Sequence, residues 1–198
     1  MYEAIRDPYC YAGSSVLKNR LKIKNHQSLA EAEAILAQQR IMELYIYQPV
    51  NGRFGLAHLC QIHRYIFQDV YPWAGSLRTV RITKGLSTFC YPENIKAESE
   101  RIFSQLKTEN YLRGLNHSDF LNRIAWYIGE INALHPFREG NGRALRIFLW
   151  FLGNQAGWEI RFESVEPAEW LTACIAAHNA DYIPLITLLS PIVDKLEE

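Results

Sequence analysis

Two apolar helical patterns between Ser118 and Leu152 are separated by a stretch that neither a helix nor a strand can absorb, HPFREGNGR from His135 to Arg143. Upstream, Leu121, Ile124, Ala125, Ile128, Ile131 and Leu134 recur at helical spacing behind Ser118, which reads as the cap. Downstream, from Arg143 to about Gln155, Ile147, Phe148, Trp150 and Phe151 offer an apolar face to the same core. Pro136 disfavours helical geometry at His135 and so ends the first helix there. Two packed helices holding a polar loop between them are a rigid mount for chemistry.

The loop's residues describe that chemistry. Gly140, Asn141 and Gly142 can take positive φ and turn backbone N–H groups inward as an anion nest. The nest sits at a helix N-terminus, where free N–H groups and the macrodipole favour phosphate. Arg143 and Arg146, three apart, share one helix face and can both reach that anion. Glu139 puts a carboxylate beside the phosphates, as Mg²⁺ requires. His135 suits a general base that activates a hydroxyl. Taken singly, these are a capping histidine, a solvated glutamate, a tight turn and a solvent-facing arginine pair. No packing argument requires them together in one register, and together they describe nucleotidyl transfer.

At these positions the chain resembles the Fic family of adenylyltransferases, whose motif HxFx(D/E)GNGRxxR is matched by His135, Phe137, Glu139, Gly140, Asn141, Gly142, Arg143 and Arg146. The resemblance implies a mainly α fold, a helical bundle with one small β-hairpin flap beside the active loop. It implies that His135 deprotonates a target hydroxyl, that Phe137 anchors the loop, and that Glu139 holds Mg²⁺ at the α- and β-phosphates of ATP. Gly140, Asn141 and Gly142 would form the anion hole, and Arg143 and Arg146 would contact the β- and γ-phosphates. AMP would pass to a Tyr, Thr or Ser hydroxyl of a target protein, with pyrophosphate leaving.

Elsewhere the chain reads as helix almost throughout. Short and longer helices are expected from Ser14 or Ser15 (SSVLKNRLKI) and from Ser28, the latter with Glu31 completing a capping box. A third covers Leu56 to Val70, with His58 and His63 as partly buried histidines. The pattern changes at TVRITKGLSTFCYP, where β-formers flank a glycine turn: Thr79, Val80, Ile82 and Thr83 on one side, Thr88 to Tyr91 on the other. A lone hairpin must lie on the helical body and can leave an edge open for a further strand. The Fic family has a flap at this place that holds the target segment by main-chain pairing. By that resemblance residues 78–90, and specifically Thr79, Val80, Arg81, Ile82, Thr83, Lys84 and Gly85, are assigned to target positioning. An amphipathic helix follows Pro92, another begins near Pro167, and a last one runs from about Pro184 to Leu196.

The 198 residues, 48% of them hydrophobic, suit one compact domain, read as a single Fic domain over 1–198. With 21 basic and 21 acidic residues there is no global field for nucleic acid or an anionic membrane. Cys10, Cys60, Cys90 and Cys174 form no CxxC pair and read as reduced thiols. The N-terminal stretch lacks the apolar run of a secretory signal, and no apolar stretch reaches roughly 20 residues, so the expected location is cytoplasmic.

In overall length the chain looks like stand-alone, toxin-type members of the family. Fic proteins are commonly restrained by a helix bearing (S/T)xxxE(G/N), whose glutamate pairs with the second motif arginine, here Arg146. No Ser or Thr in this sequence has that pattern after it. The expected partner is therefore a small antitoxin protein supplying the helix in trans, and resemblance to toxin-type relatives makes a type II topoisomerase subunit the first candidate target. Beside AMP transfer stand two alternatives and a third, a nucleic-acid binder, which the balanced charge disfavours. A phosphotransferase resembling the death-on-curing toxins would carry Lys where Gly142 stands, and a non-enzymatic helical interaction module would turn over no ATP.

Overall fold

The structure is a computed structural model and describes residues 7–85 and 87–196. Its centre is α4 (His117–Leu134), which buries Phe120, Leu121, Ile124, Ala125, Tyr127, Ile128, Ile131 and Leu134 and so has little face left for solvent. Its N-cap is Asn116 rather than Ser118, the Asn116 side chain accepting from the Asp119 N–H at 2.9 Å. After a six-residue loop, α5 (Asn141–Ala156) packs beside it, burying Ala144, Leu145, Ile147, Phe148, Leu149 and Leu152. Trp150 and Phe151 are half-buried at its edge.

Around this pair lie α1 (His26–Tyr47), α2 (Leu56–Phe67), α3 (Ile95–Thr108), α6 (Pro167–His178) and α7 (Ile183–Leu189). The mainly α architecture with a small hairpin is the one expected. Helix α1 is capped by Asn25, which accepts from the Ser28 N–H at 2.9 Å, so the helix starts before Ser28. The helix expected over SSVLKNRLKI is absent. Ser14 Oγ takes the Val16 N–H, and the buried Asn19 amide donates to the Leu17 and Ile23 carbonyls and accepts from the Ile23 N–H. Side chains that satisfy local backbone groups in this way compete with a helix.

The hairpin is shorter than the β-formers suggest. Strand β1 (Thr83–Lys84) pairs antiparallel with β2 (Ser87–Thr88), and Leu86 between them lies outside the described residues. The flanking backbone is tied elsewhere: the Thr79 N–H donates to Tyr9 Oη at 3.1 Å, and the Cys90 N–H donates to the Ala133 carbonyl at 2.9 Å. A second ribbon was not expected. Strand β3 (Trp158–Ile160) pairs antiparallel with β4 (Val193–Lys195), because the last helix stops at Leu189 and a 3₁₀ turn over Ser190–Ile192 redirects the chain. Pro191 is incompatible with continuing that helix. All four cysteines are free, and among the described residues no helix is long and apolar enough to cross a membrane.

Candidate active site

The loop from His135 to Gly140 is held from three sides. His135 is the C-cap of α4 in the left-handed region (φ 44°, ψ 59°), its N–H still bonded to the Ile131 carbonyl at 3.2 Å. Phe137 is fully buried and stacks on the His63 ring with centroids 3.8 Å apart. Asn141 closes the loop: Oδ1 accepts the Phe137 N–H and Nδ2 donates to the Phe137 carbonyl, both at 2.8 Å. Arg138 reaches back to Asp7, with Nε 2.8 Å and Nη2 2.7 Å from Oδ2.

Of the proposed nest residues, only Gly140 takes a positive φ, 80°, as the N-cap of α5. Asn141 and Gly142 are instead the first residues of the helix, so the nest is one left-handed glycine followed by a helical first turn. Asn141 spends its side chain on the loop. Gly142 is bare by contrast: a Cβ there would meet only Arg146 Nη1, 3.9 Å away, so the glycine keeps the cavity wall open.

His135 is 6% exposed. Its Nδ1 lies 3.2 Å from the Asn132 carbonyl, which can only accept, so Nδ1 carries the proton and Nε2 keeps a lone pair. Phe89 of the flap stacks on the ring at 3.8 Å. Burial, then the positive charge of Lys84, lower its pKa to about 3, against a pull upward from the Asn132 carbonyl and with smaller downward contributions from Arg78 and His178. The unliganded imidazole is therefore neutral at pH 7, the form a base needs, and negative charge on a bound nucleotide raises its affinity for a proton. The ring lines a cavity of about 220 Å³ together with Gly142, Arg146, Asn132, Lys84 and Phe89.

Arg146 also lines a second cavity, of about 310 Å³, with Arg143, Gln38, Tyr45, Glu163 and Trp170. Among the described residues Arg146 has no carboxylate within ion-pair distance, and burial lowers its pKa. Arg143 differs. Its Nη2 is 2.6 Å from Oε1 of the buried Glu33 on α1, while Tyr71 Oη donates to the other Glu33 oxygen, and the guanidinium lies 4.6 Å over the Phe67 ring. Glu139 is 38% exposed in its side chain; Oε1 accepts the Gly140 N–H at 2.8 Å and lies 3.9 Å from Arg143 Nη2, which leaves Oε2 for a cation. Among the described residues no three His, Cys, Asp or Glu cluster as metal ligands. One carboxylate beside an anion nest nonetheless fits Mg²⁺, which draws the rest of its shell from phosphate oxygens and water.

Three residues of this site escape the sequence motif. Glu33 sits on α1 two residues after another glutamate, Glu31, with nothing in spacing to single it out. Asp7 is remote in sequence from Arg138. His63, read as a partly buried histidine, is fully buried: its Nδ1 accepts the Gly75 N–H and its Nε2 donates to the Glu139 carbonyl, both at 2.9 Å. It thus holds the backbone of the proposed metal ligand. Burial pushes its pKa down to about 4, with the Glu139 carbonyl opposing and Arg143 adding to the fall. Because its folded pKa lies below the unfolded value near 6.5, the stability it contributes is complete above about pH 6.5 and is lost as pH falls towards 4. At about 1.4 kcal/mol per unit this amounts to on the order of 3 kcal/mol. Denaturant titrations between pH 7 and 4 should show that slope in the parent and a shallower one in His63→Gln; equal slopes would remove His63 as the source.

A family model described as the Fic/DOC family matches residues 53–152. A probable protein adenylyltransferase of Sinorhizobium fredii is 40% identical over 93% of this chain and 94% of its own length. The probable protein adenylyltransferase Fic of Escherichia coli is 37% identical, covering 98% of this chain and 95% of its own. Among solved structures, the BepC protein of Bartonella tribocorum with bound AMPPNP superposes with a TM-score of 0.87 at 28% identity, over 96% of this chain and 97% of that one. Motif, helical frame and relatives matched nearly end to end agree, and the chain belongs to the Fic/DOC family.

Proposed function

We propose that this chain is a protein adenylyltransferase, moving AMP from ATP to a Tyr, Thr or Ser hydroxyl of a target protein. The observation that carries the reading is a neutral, buried His135 whose free Nε2 shares one cavity with the start of α5 and with Arg146. The enzyme class, nucleotidyltransferase, is that of relatives 37% to 40% identical along nearly their whole length. A related fold with bound AMPPNP supports ATP as the nucleotide.

The target hydroxyl oxygen attacks the α-phosphorus while its proton passes to His135 Nε2. The bond from the α-phosphorus to the bridging oxygen breaks, and pyrophosphate leaves. Backbone N–H groups of Asn141 and Gly142 at the start of α5 face the charge that develops on the phosphoryl oxygens. Arg143, braced by Glu33, and Arg146, without an acidic partner among the described residues, take the distal phosphates. Glu139 would hold Mg²⁺, which supplies charge neutralisation at the phosphates when bound.

The finer reading is a toxin restrained by a small antitoxin protein bearing (S/T)xxxE(G/N). Arg146, which lines the 310 Å³ cavity and has no carboxylate partner among the described residues, supports it, since a partner's glutamate would satisfy that charge and displace the γ-phosphate. A type II topoisomerase subunit is the first target to test. ATP use and four free thiols support a cytoplasmic site of action. Incubating the purified chain with α- or γ-labelled ATP in a bacterial lysate tests the reaction. Protein label from the α-phosphate alone is expected; label from the γ-phosphate would replace the reading with phosphotransfer, and absence of both would favour an interaction module.

The flap from Thr79 to Gly85 is assigned to holding the target backbone. Thr79 is the least available, its N–H being taken by Tyr9. Ile82→Pro deletes one N–H from the flap and fixes its φ. It should leave ATP affinity in a calorimetric titration unchanged and reduce target labelling at least about tenfold, the worth of one or two main-chain hydrogen bonds. Parental labelling by this variant would exclude main-chain pairing at Ile82.

A further inference from the structure

Arg78 is 2% exposed and is among the largest fully buried side chains of the protein. Among the described residues no carboxylate pairs with it; its donors go to carbonyl oxygens. Nε donates to the His135 carbonyl at 2.7 Å, Nη1 to Val80 at 2.7 Å, and Nη2 to Cys90 and, at 3.5 Å, to Leu134. Its backbone N–H donates to the Pro136 carbonyl at 2.9 Å. These acceptors fall into two groups. Leu134, His135 and Pro136 are the end of α4 and the start of the catalytic loop, whereas Val80 and Cys90 lie on the outgoing and returning legs of the flap.

A guanidinium buried without a counter-charge is costly, and burial does lower its pKa. An apolar side chain would fill the same space without that cost. What an apolar side chain cannot do is fix two flap legs and a loop at once, which a planar fork of donors does. The catalytic histidine needs such fixing. A non-glycine residue in the left-handed region is held there only when its surroundings determine it, and Arg78 binds the carbonyl of that residue. It reaches the ring as well, because Phe89, next to Cys90 on the returning leg, is the residue stacked on the imidazole.

We propose that Arg78 is a positioning residue for the transfer reaction, locking the flap legs and the His135 carbonyl into one unit so that the bound target hydroxyl and Nε2 keep a fixed separation. This rests on the reading of His135 as base and of the flap as target holder. It predicts that losing the fork lowers turnover and leaves nucleotide binding alone. The charged or titratable groups facing the His135 ring are Lys84 on the flap, His178 and Cys174 on α6, Arg146 on α5 and Arg78 itself. Removing the Arg78 charge therefore makes the imidazole easier to protonate and moves the acid limb of the reaction to higher pH.

The test compares Arg78→Met and Arg78→Lys with the parent in the full chain. For Arg78→Met, kcat should fall on the order of 10²-fold, as for a misplacement of about 1 Å. Its ATP affinity should stay within about twofold of the parent, and its acid limb should rise. Arg78→Lys keeps the charge and loses the fork; it should restore the position of the limb and not the turnover. In parallel, NMR titration of the His135 ring in the unliganded chain should show displaced ring signals in both variants and a raised pKa only in Arg78→Met. Turnover, limb and ring signals like the parent's would overturn the proposal, as would loss of ATP binding in step with transfer or failure of both variants to fold. If the parent itself transfers no AMP, the reaction assigned above fails, and the ring titration alone decides whether Arg78 sets the histidine.

Discussion

His135→Ala should lower AMP transfer by roughly 10²- to 10⁴-fold, the usual contribution of a general base, while ATP still binds and the fold persists. The size follows from how completely the site prepares this one group. Nδ1 is committed to the Asn132 carbonyl, Nε2 is free, and the ring is clamped by Phe89. A buried ring with its pKa lowered to about 3 carries no proton at neutral pH, so essentially every molecule starts in the competent form. The fold survives because the loop hangs on other bonds: Phe137 on Asn141 and His63, and Glu139 on His63. The measurement is target labelling from α-labelled ATP alongside calorimetric ATP binding. Transfer at the parental rate would remove His135 from the mechanism, and lost ATP binding would make it a ligand-binding residue instead.

The residues around His135 also mark where sequence is informative. Helices α4 and α5 were legible because their apolar periodicity spans several turns, and the loop between them because Pro136 and Gly140 leave little conformational choice. Helix starts differ from the sequence expectation where a serine and an asparagine stand close together: Asn25 and Asn116 cap, while Ser28 and Ser118 lie inside the helices. Asparagine and serine are comparable cap residues, so local sequence does not choose between neighbours of these two types. The segment around Asn19 was unreadable for a different reason. Its amide fixes a turn through three backbone bonds, whereas the residues themselves have adequate helix propensity. The β3–β4 ribbon joins residues more than thirty apart, a pairing that neither segment announces alone.

At the site the same division holds. The motif marks the residues proposed to meet the nucleotide, since their chemistry is packed into one stretch. It is silent on Glu33, His63, Arg78 and Asp7, which come from other elements and act by holding the motif residues in place. Each is a polar side chain whose role depends on a partner distant in sequence. A histidine two turns into an apolar helix or a glutamate close to another carries no signature of that partner. Chemistry suited to phosphate is therefore readable from one loop, whereas the preorganisation that would make it useful is a property of the packed domain.

Gly140→Ala tests that preorganisation most directly. At φ 80° the residue stands where a Cβ is strained whatever its surroundings, at about 1–2 kcal/mol. Its surroundings are also closed: the added carbon would lie 2.4 Å from Cε2 and Cζ of Phe67. Phe67 is fully buried at the end of α2, and Arg143 lies over its ring, so the ring has little room to yield. Overpacking of this kind adds about 1–3 kcal/mol. If the backbone relieves the clash by rotating, the first N–H groups of α5 turn from the phosphates, and loss of such a donor commonly costs about 10²- to 10³-fold in rate. The expected variant is less stable by a few kcal/mol in urea, binds ATP weakly and transfers AMP at least about 10²-fold more slowly. Gly142→Ala is the control, because its Cβ meets only Arg146 Nη1 at 3.9 Å and its backbone is already helical. That variant should be as stable as the parent, which confines the stability loss to the left-handed glycine. A Gly140→Ala protein with parental stability and ATP affinity would mean that the left-handed turn is dispensable, and the account of the nest would fall with it.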